Sequence, residues 1–264
     1  MEIAMSDVPL TLFTTLASIG AGAFLVIFVA IATLKLTDAQ MRKLDQLTII
    51  PILFGVVGMI CAFFHLANPG NAFQLLNTIG STPMANEIMW FSIFMVVAVI
   101  YWICALAGVL KAPRGRLILS MITAILAVIA GIFMGLAYMV DTIQVWQTLW
   151  SPAQMVGALF FGGGMLGIWL VSMADNVTAD TDADNAHGRH GSHADAGDAG
   201  RGDAASIMAS PTKAIVTLGA IVFVVSTIGI FIAGSGATSA MIDVAANAES
   251  LIAPMVISII LVAA

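Results

Sequence analysis

Long apolar runs without a single charged residue dominate this sequence. Six are clear: Leu10–Leu34, Leu47–Leu66, Ile88–Leu110, Leu117–Val140, Ala153–Met173 and Ala214–Ala233. Each reaches about 20 residues, the length at which a helix crosses bilayer hydrocarbon. A seventh run, Leu251–Ala264, is shorter and closes the sequence. Irregular backbone cannot face lipid, so the runs must be helices. The expected fold is an all-α polytopic transmembrane helix bundle of seven spans. Only 9 % of residues are charged and 60 % are hydrophobic, against about 25 % charged in soluble domains. That balance excludes a soluble globular enzyme, a nucleic-acid binder and a disordered chain.

Charge placement predicts the orientation. The nine basic residues are Lys35, Arg42, Lys43, Lys111, Arg114, Arg116, Arg189, Arg201 and Lys213. All fall in the first, third and fifth loops between runs. The positive-inside rule then puts those loops in the cytoplasm and the N-terminus outside. Met1-Glu2 offers no basic region ahead of the first run, so that run is expected to stay as a helix and not to be cleaved as a signal.

Three regions follow. Residues 1–173 carry five spans, residues 174–212 read as a disordered acidic, His-containing cytoplasmic linker, and residues 213–264 carry the C-terminal spans. Seven of the fifteen acids sit in the linker, so the net charge of −6 describes that segment more than the protein. His187, His190 and His193 also lie there. A solvated low-complexity tract explains them better than a metal site, because a flexible loop lacks fixed ligand geometry.

The span interiors exclude several chemistries. They hold no Asp, Glu, Lys or Arg, which argues against a proton pump, an ion-coupled transporter and a voltage sensor. Only one histidine, His65, lies in a span, so a bis-histidine haem is not expected. Two cysteines, Cys61 and Cys104, fall at different depths and cannot form a disulfide framework or hold an iron–sulfur cluster. Gly131 and Gly135 form a GxxxG pair suited to close helix packing within the bundle.

Polar residues gather at one surface. His65 lies 18 residues beyond Leu47, about 27 Å along a helix axis, at the outer edge of the hydrocarbon. Asn86-Glu87 opens the third span on that side. Asp141 ends the fourth, Trp146 and Trp150 follow, and Gln154 opens the fifth. Some have ordinary readings: the tryptophans as an interfacial belt, Glu87 as an acid at a helix start, Asp141 as a loop acid. Together they suit a quinol site. Such a site needs an apolar slot open to lipid and a few polar groups at its end. Imidazole and carboxylate can take the protons released when the quinol is oxidised.

The segment His65-Leu66-Ala67-Asn68-Pro69, Ala72-Phe73, Leu76-Asn77, Asn86-Glu87-Ile88 resembles the membrane anchor subunit of dimethyl sulfoxide reductase-type respiratory molybdoenzymes. A second stretch, Asp141-Thr142-Ile143, Trp146, Trp150-Ser151-Pro152 and Phe160-Phe161-Gly162-Gly163, is similar as well. With the span pattern, the resemblance covers the first five helices. It implies a haem-free anchor in the bacterial cytoplasmic membrane that oxidises menaquinol during anaerobic respiration. Electrons would pass to an iron–sulfur subunit and on to a molybdopterin catalytic subunit, so those cofactors belong to the partners. It further implies that His65 and Glu87 bind the quinol and move its protons. Asp141, Trp150 and Gln154 are candidates to support them by their place on the same face alone. Members of the family usually have eight helices, against seven runs here. A small-solute transporter is the alternative, and it would call for inverted repeats, which the two halves do not show.

Overall fold

The computed structural model describes residues 8–65, 77–110, 112–139, 148–187 and 211–236. Among them it is helical, with no strand. In chain order the helices are α1 (Val8–Thr33), α2 (Asp38–Leu47), α3 (Ile49–His65), α4 (Pro83–Leu106), α5 (Pro113–Ala137), α6 (Trp150–Ala158), a π-helical turn at Leu159–Gly163, α7 (Gly164–His187) and α8 (Pro211–Gly236). Among the described residues, six stretches are long and apolar enough to cross a membrane, and they correspond to the six clear apolar runs. The seventh run, Leu251–Ala264, lies outside the described residues.

The helix starts obey local chemistry. Thr37 caps α2 through a capping box: its backbone N–H donates to Gln40 Oε1 at 2.8 Å, and its hydroxyl accepts from the Gln40 N–H. Thr82 caps α4, with Pro83 in the first turn. This cap places Asn86 and Glu87 inside the helix, where hydropathy alone began the span at Ile88. Asn86 turns back to accept from the Gly80 N–H at 2.7 Å. Gly80 has φ +85°, a left-handed conformation that glycine adopts without steric cost.

The first helix is the hub. It packs on α3, α5, the π turn and α7, and its middle is almost continuously buried from Ala17 to Phe24. Small residues there admit neighbouring backbones, which is how helices associate where lipid offers no hydrophobic drive. A methyl group on Gly20 would lie 2.6 Å from the Pro51 carbonyl oxygen of α3. Gly22 meets the π turn backbone to backbone, against Leu159 and Gly163. The approach of α4 to α1 is different, because large rings fill the gap. Phe13 meets Phe91 edge-on at 5.7 Å, and Phe24 meets Phe94 at 5.6 Å and Tyr101 at 6.3 Å.

The fifth span does not stop where its apolar run stops. The α7 helix continues to His187, into the stretch expected to be a disordered linker from residue 174. Ala174 and Asp175 are both buried, so the linker cannot begin at 174. Propensity does not foretell this extension, because Asp, Asn and Thr rank low among helix formers and only the alanines between them rank high. Residues 188–210, with His190 and His193, lie outside the described residues.

Candidate functional site

The helices alternate in direction, so His65, Pro83, Ala137 and Trp150 mark one end of the bundle, and Asp38, Pro113 and Asp175 belong to the other. Glu87 sits in the second turn of α4 at the first end. It heads the buried stripe of α4, which continues through Phe91, Phe94, Ala98 and Tyr101. The sequence places Glu87 at the water boundary; in the fold it is only 7 % exposed. Helix packing covers it, because its position shares a stripe with Phe91, one turn on. Its Oε1 atom is buried and has no hydrogen-bond partner among the described residues. A buried oxygen without a partner is costly and calls for explanation, such as a ligand that completes it.

Along α4 the described side chains that follow Glu87 are aromatic at Trp90 and Phe91. The Phe13–Phe91 edge contact lies one turn deeper, and Trp90 stacks on Phe133 of α5 at 5.5 Å, 23° between planes. Helix α3 rests mainly on α1 and only lightly on α4. At this end Phe63, Phe64, Ile79 and Met84 are exposed. A buried oxygen next to aromatic walls, with apolar side chains facing outward, matches an amphiphilic ring with a lipid tail.

His65 is the last residue of α3, seven positions beyond Gly58, whose open face lies against Phe13 and Ala17 of α1. The His65 side chain lies outside the described residues. So do Asp141, Trp146 and the 66–76 part of the motif. Trp150 and Gln154 are engaged elsewhere. Gln154 Nε2 donates to Thr227 Oγ1 of α8 at 3.0 Å, and the Trp150 indole covers Gly229 of α8. Thr148, just before α6, escaped the sequence reading. Its hydroxyl oxygen is buried without a partner among the described residues, at the same end as Glu87.

A polar knot at the opposite end also escaped. Arg116 Nη1 of α5 donates to Asp45 Oδ1 of α2 at 2.5 Å, and the two form an ion pair. Fully buried Tyr101 lies in the field of both charges. Gln40 Nε2 donates to Asp175 Oδ1 of α7 at 2.7 Å. Asp45 precedes the second apolar run and Arg116 precedes the fourth, so each looked like an ordinary loop charge. Cys61 and Cys104 are free thiols, and among the described residues no three His, Cys, Asp or Glu side chains group as metal ligands.

The family model described as DMSO reductase anchor subunit (DmsC) matches residues 1–183. The protein is 34 % identical over 172 residues to the C chain of anaerobic dimethyl sulfoxide reductase from Escherichia coli K12, a match that takes in 63 % of this sequence and 58 % of that one. It is 31 % identical over 154 residues to the C chain of the Haemophilus influenzae enzyme of the same name, with 57 % and 54 % covered. It is 30 % identical over 173 residues to the YnfH chain of anaerobic dimethyl sulfoxide reductase from Escherichia coli K12, with 66 % and 60 % covered. The match thus spans a little over half the length of these relatives. No solved structure matches. A multi-pass helical bundle, the paired motifs and a match over more than half of the sequence agree: this chain belongs to the DMSO reductase anchor subunit (DmsC) family.

Proposed function

We propose that this chain is the menaquinol-oxidising membrane anchor of a dimethyl sulfoxide reductase-like complex in the bacterial cytoplasmic membrane. The observation that carries the reading is the unpartnered, buried oxygen of Glu87 beside apolar walls, near the end of the bundle where α3 finishes at His65. The quinol ring enters from lipid, with one hydroxyl on the His65 imidazole and the other on Glu87. Oxidation to the quinone releases two electrons and two protons. The neutral imidazole and the Glu87 carboxylate take the protons as the electrons leave. The electrons pass to an iron–sulfur subunit and from there to a molybdopterin catalytic subunit, both separate chains. Membership of the anchor family supports such partners.

The basic-residue bias supports an outside N-terminus, which puts the His65 end outside as well. Electron transfer needs the quinol close to the first cluster, so the iron–sulfur subunit docks on that outer face. The test is His65→Ala in the membrane-assembled complex. Quinol-driven reduction should fail while reduction from an artificial dye donor persists. Undiminished quinol turnover would remove His65 from the reaction. Labelling that finds the iron–sulfur subunit in the cytoplasm would reverse the orientation.

A further inference from the structure

The fifth span is two helices joined in the middle of the membrane, and each half is tied to different neighbours. The half at the Glu87 end, α6, is bound to α8. Gln154 donates to Thr227 at 3.0 Å, and the Trp150 indole covers Gly229. A methyl group on Gly157 would lie 2.6 Å from the Phe223 nitrogen. The other half, α7, belongs to the rest of the bundle. Its Asp175 accepts from Gln40 of α2, and its Gly167 lies against Val26 of α1. Helix α8 follows this division. It packs closely on α6 and the π turn and only lightly on α7 and α1.

Between the halves stands the π turn Leu159–Gly163. Gly162, Gly163 and Gly164 succeed one another there. Glycine is among the poorest helix formers, and helices kink at π turns, which are frequent at functional sites. The closest backbone contacts are at the joint itself: Gly22 of α1 against Gly163, and Gly219 of α8 against Phe160 and Phe161. Rotation about a pivot moves the atoms nearest to it least, so a swing keeps these contacts. Nearer the Glu87 end α6 meets α5 where Pro152, which has no N–H to donate, rests on Gly135.

We propose that α6 and α8 move as one body about the π turn, and so open and close the Glu87 end of the bundle between α6 and α5. From Gly162 to Trp150 the arm is about 18 Å long. A change of about 20° at the joint moves its tip by about 6 Å, enough to admit a flat ring. Thr148 rides at the tip, so opening uncovers its buried hydroxyl oxygen, which has no partner among the described residues. That the entrant is a quinol rests on the function proposed above; the joint does not.

Distances between spin labels on the full chain in nanodiscs test this, with Cys61→Ser and Cys104→Ser as background. One pair, Phe64→Cys on α3 and Phe231→Cys on α8, reads the Glu87 end from two exposed positions. A second pair, Ile118→Cys on α5 and Leu218→Cys on α8, also exposed, reads the opposite side close to the pivot. The first pair should show two populations about 6 Å apart, and the second pair one. Gly164→Ala should reduce the first pair to one population. Its methyl meets only the Val216 Cγ2 atom within hard contact, at 2.5 Å, so the fold has room to accept it. A single population in the first pair, equal spread in both pairs, or two populations persisting in Gly164→Ala would overturn the joint. The comparison of the two pairs decides the matter even where Gly164→Ala fails to assemble. Two populations that a menaquinone analogue leaves unshifted would support the joint and count against quinol as the entrant.

Discussion

Arg116 and Asp45 stand 71 positions apart in sequence and 2.5 Å apart in space, with side chains only 12 % and 6 % exposed. The pair ties the short α2 helix to the start of α5 at the edge of the membrane. Arg116 also donates from Nε to the Leu110 carbonyl at 3.3 Å, so it holds the α4–α5 turn as well.

Removing one partner should hurt more than removing both. Asp45→Asn leaves a buried guanidinium without its counter-charge, which costs about 3–5 kcal/mol. Asp45→Leu combined with Arg116→Met should recover most of that loss, because both desolvation costs vanish together. Thermal unfolding of the purified protein in detergent measures both. A double variant no better than Asp45→Asn would mean that the pair does more than balance charge.

The glycines of the bundle should rank by what they touch. Gly22→Ala drives a methyl into the backbone at Leu159 and Gly163, which cannot yield, at a cost of about 1–3 kcal/mol. Gly131→Ala meets only the Leu159 Cδ1 atom at 2.7 Å, the far end of a flexible side chain. It should cost much less. Comparing the melting temperatures of the two variants checks the order.

Glu87→Gln should leave assembly unchanged and lower quinol turnover about a hundredfold or more, as expected when a positioned proton acceptor is lost. No described partner loses a bond in this change, so the fold has little reason to respond. Turnover with quinol against turnover with a dye donor separates the two effects. Quinol turnover equal to wild type would leave Glu87 with no part in the proton chemistry.

Gln154→Leu should behave oppositely. It breaks the 3.0 Å hydrogen bond to Thr227, worth about 0.6 kcal/mol between membrane helices. The expected outcome is slightly weaker docking of α8 with little change in the apparent affinity for quinol. Protease accessibility of the loop before α8 and a quinol titration would read these out. A large rise in the quinol concentration needed for half-maximal rate would return Gln154 to the site.

The spans were legible because hydropathy acts residue by residue and lipid permits one backbone form. Their ends were less so. Thr82 and Pro83 start α4 ahead of its apolar residues, which converts Glu87 from a boundary acid to a buried one. Gln154 was visible as a polar residue at a helix start, and its partner was not. Thr227 lies 73 positions away in another span, and pairings of that range are set by tertiary packing. The same holds for Gln40 with Asp175, 135 positions apart. Thr148 gave no signal at all, because a lone threonine before a helix looks like an ordinary turn residue.

The central place of α1 has a consequence for biogenesis. The helix that packs on most of the other described helices also leaves the ribosome before them, since synthesis proceeds from the N-terminus. The spans built on α3, α5 and α7 reach the bilayer with the α1 surface they pack on already there. Damage to the face formed by Gly20 and Gly22 would therefore be felt throughout assembly, span after span, and not only in the finished bundle.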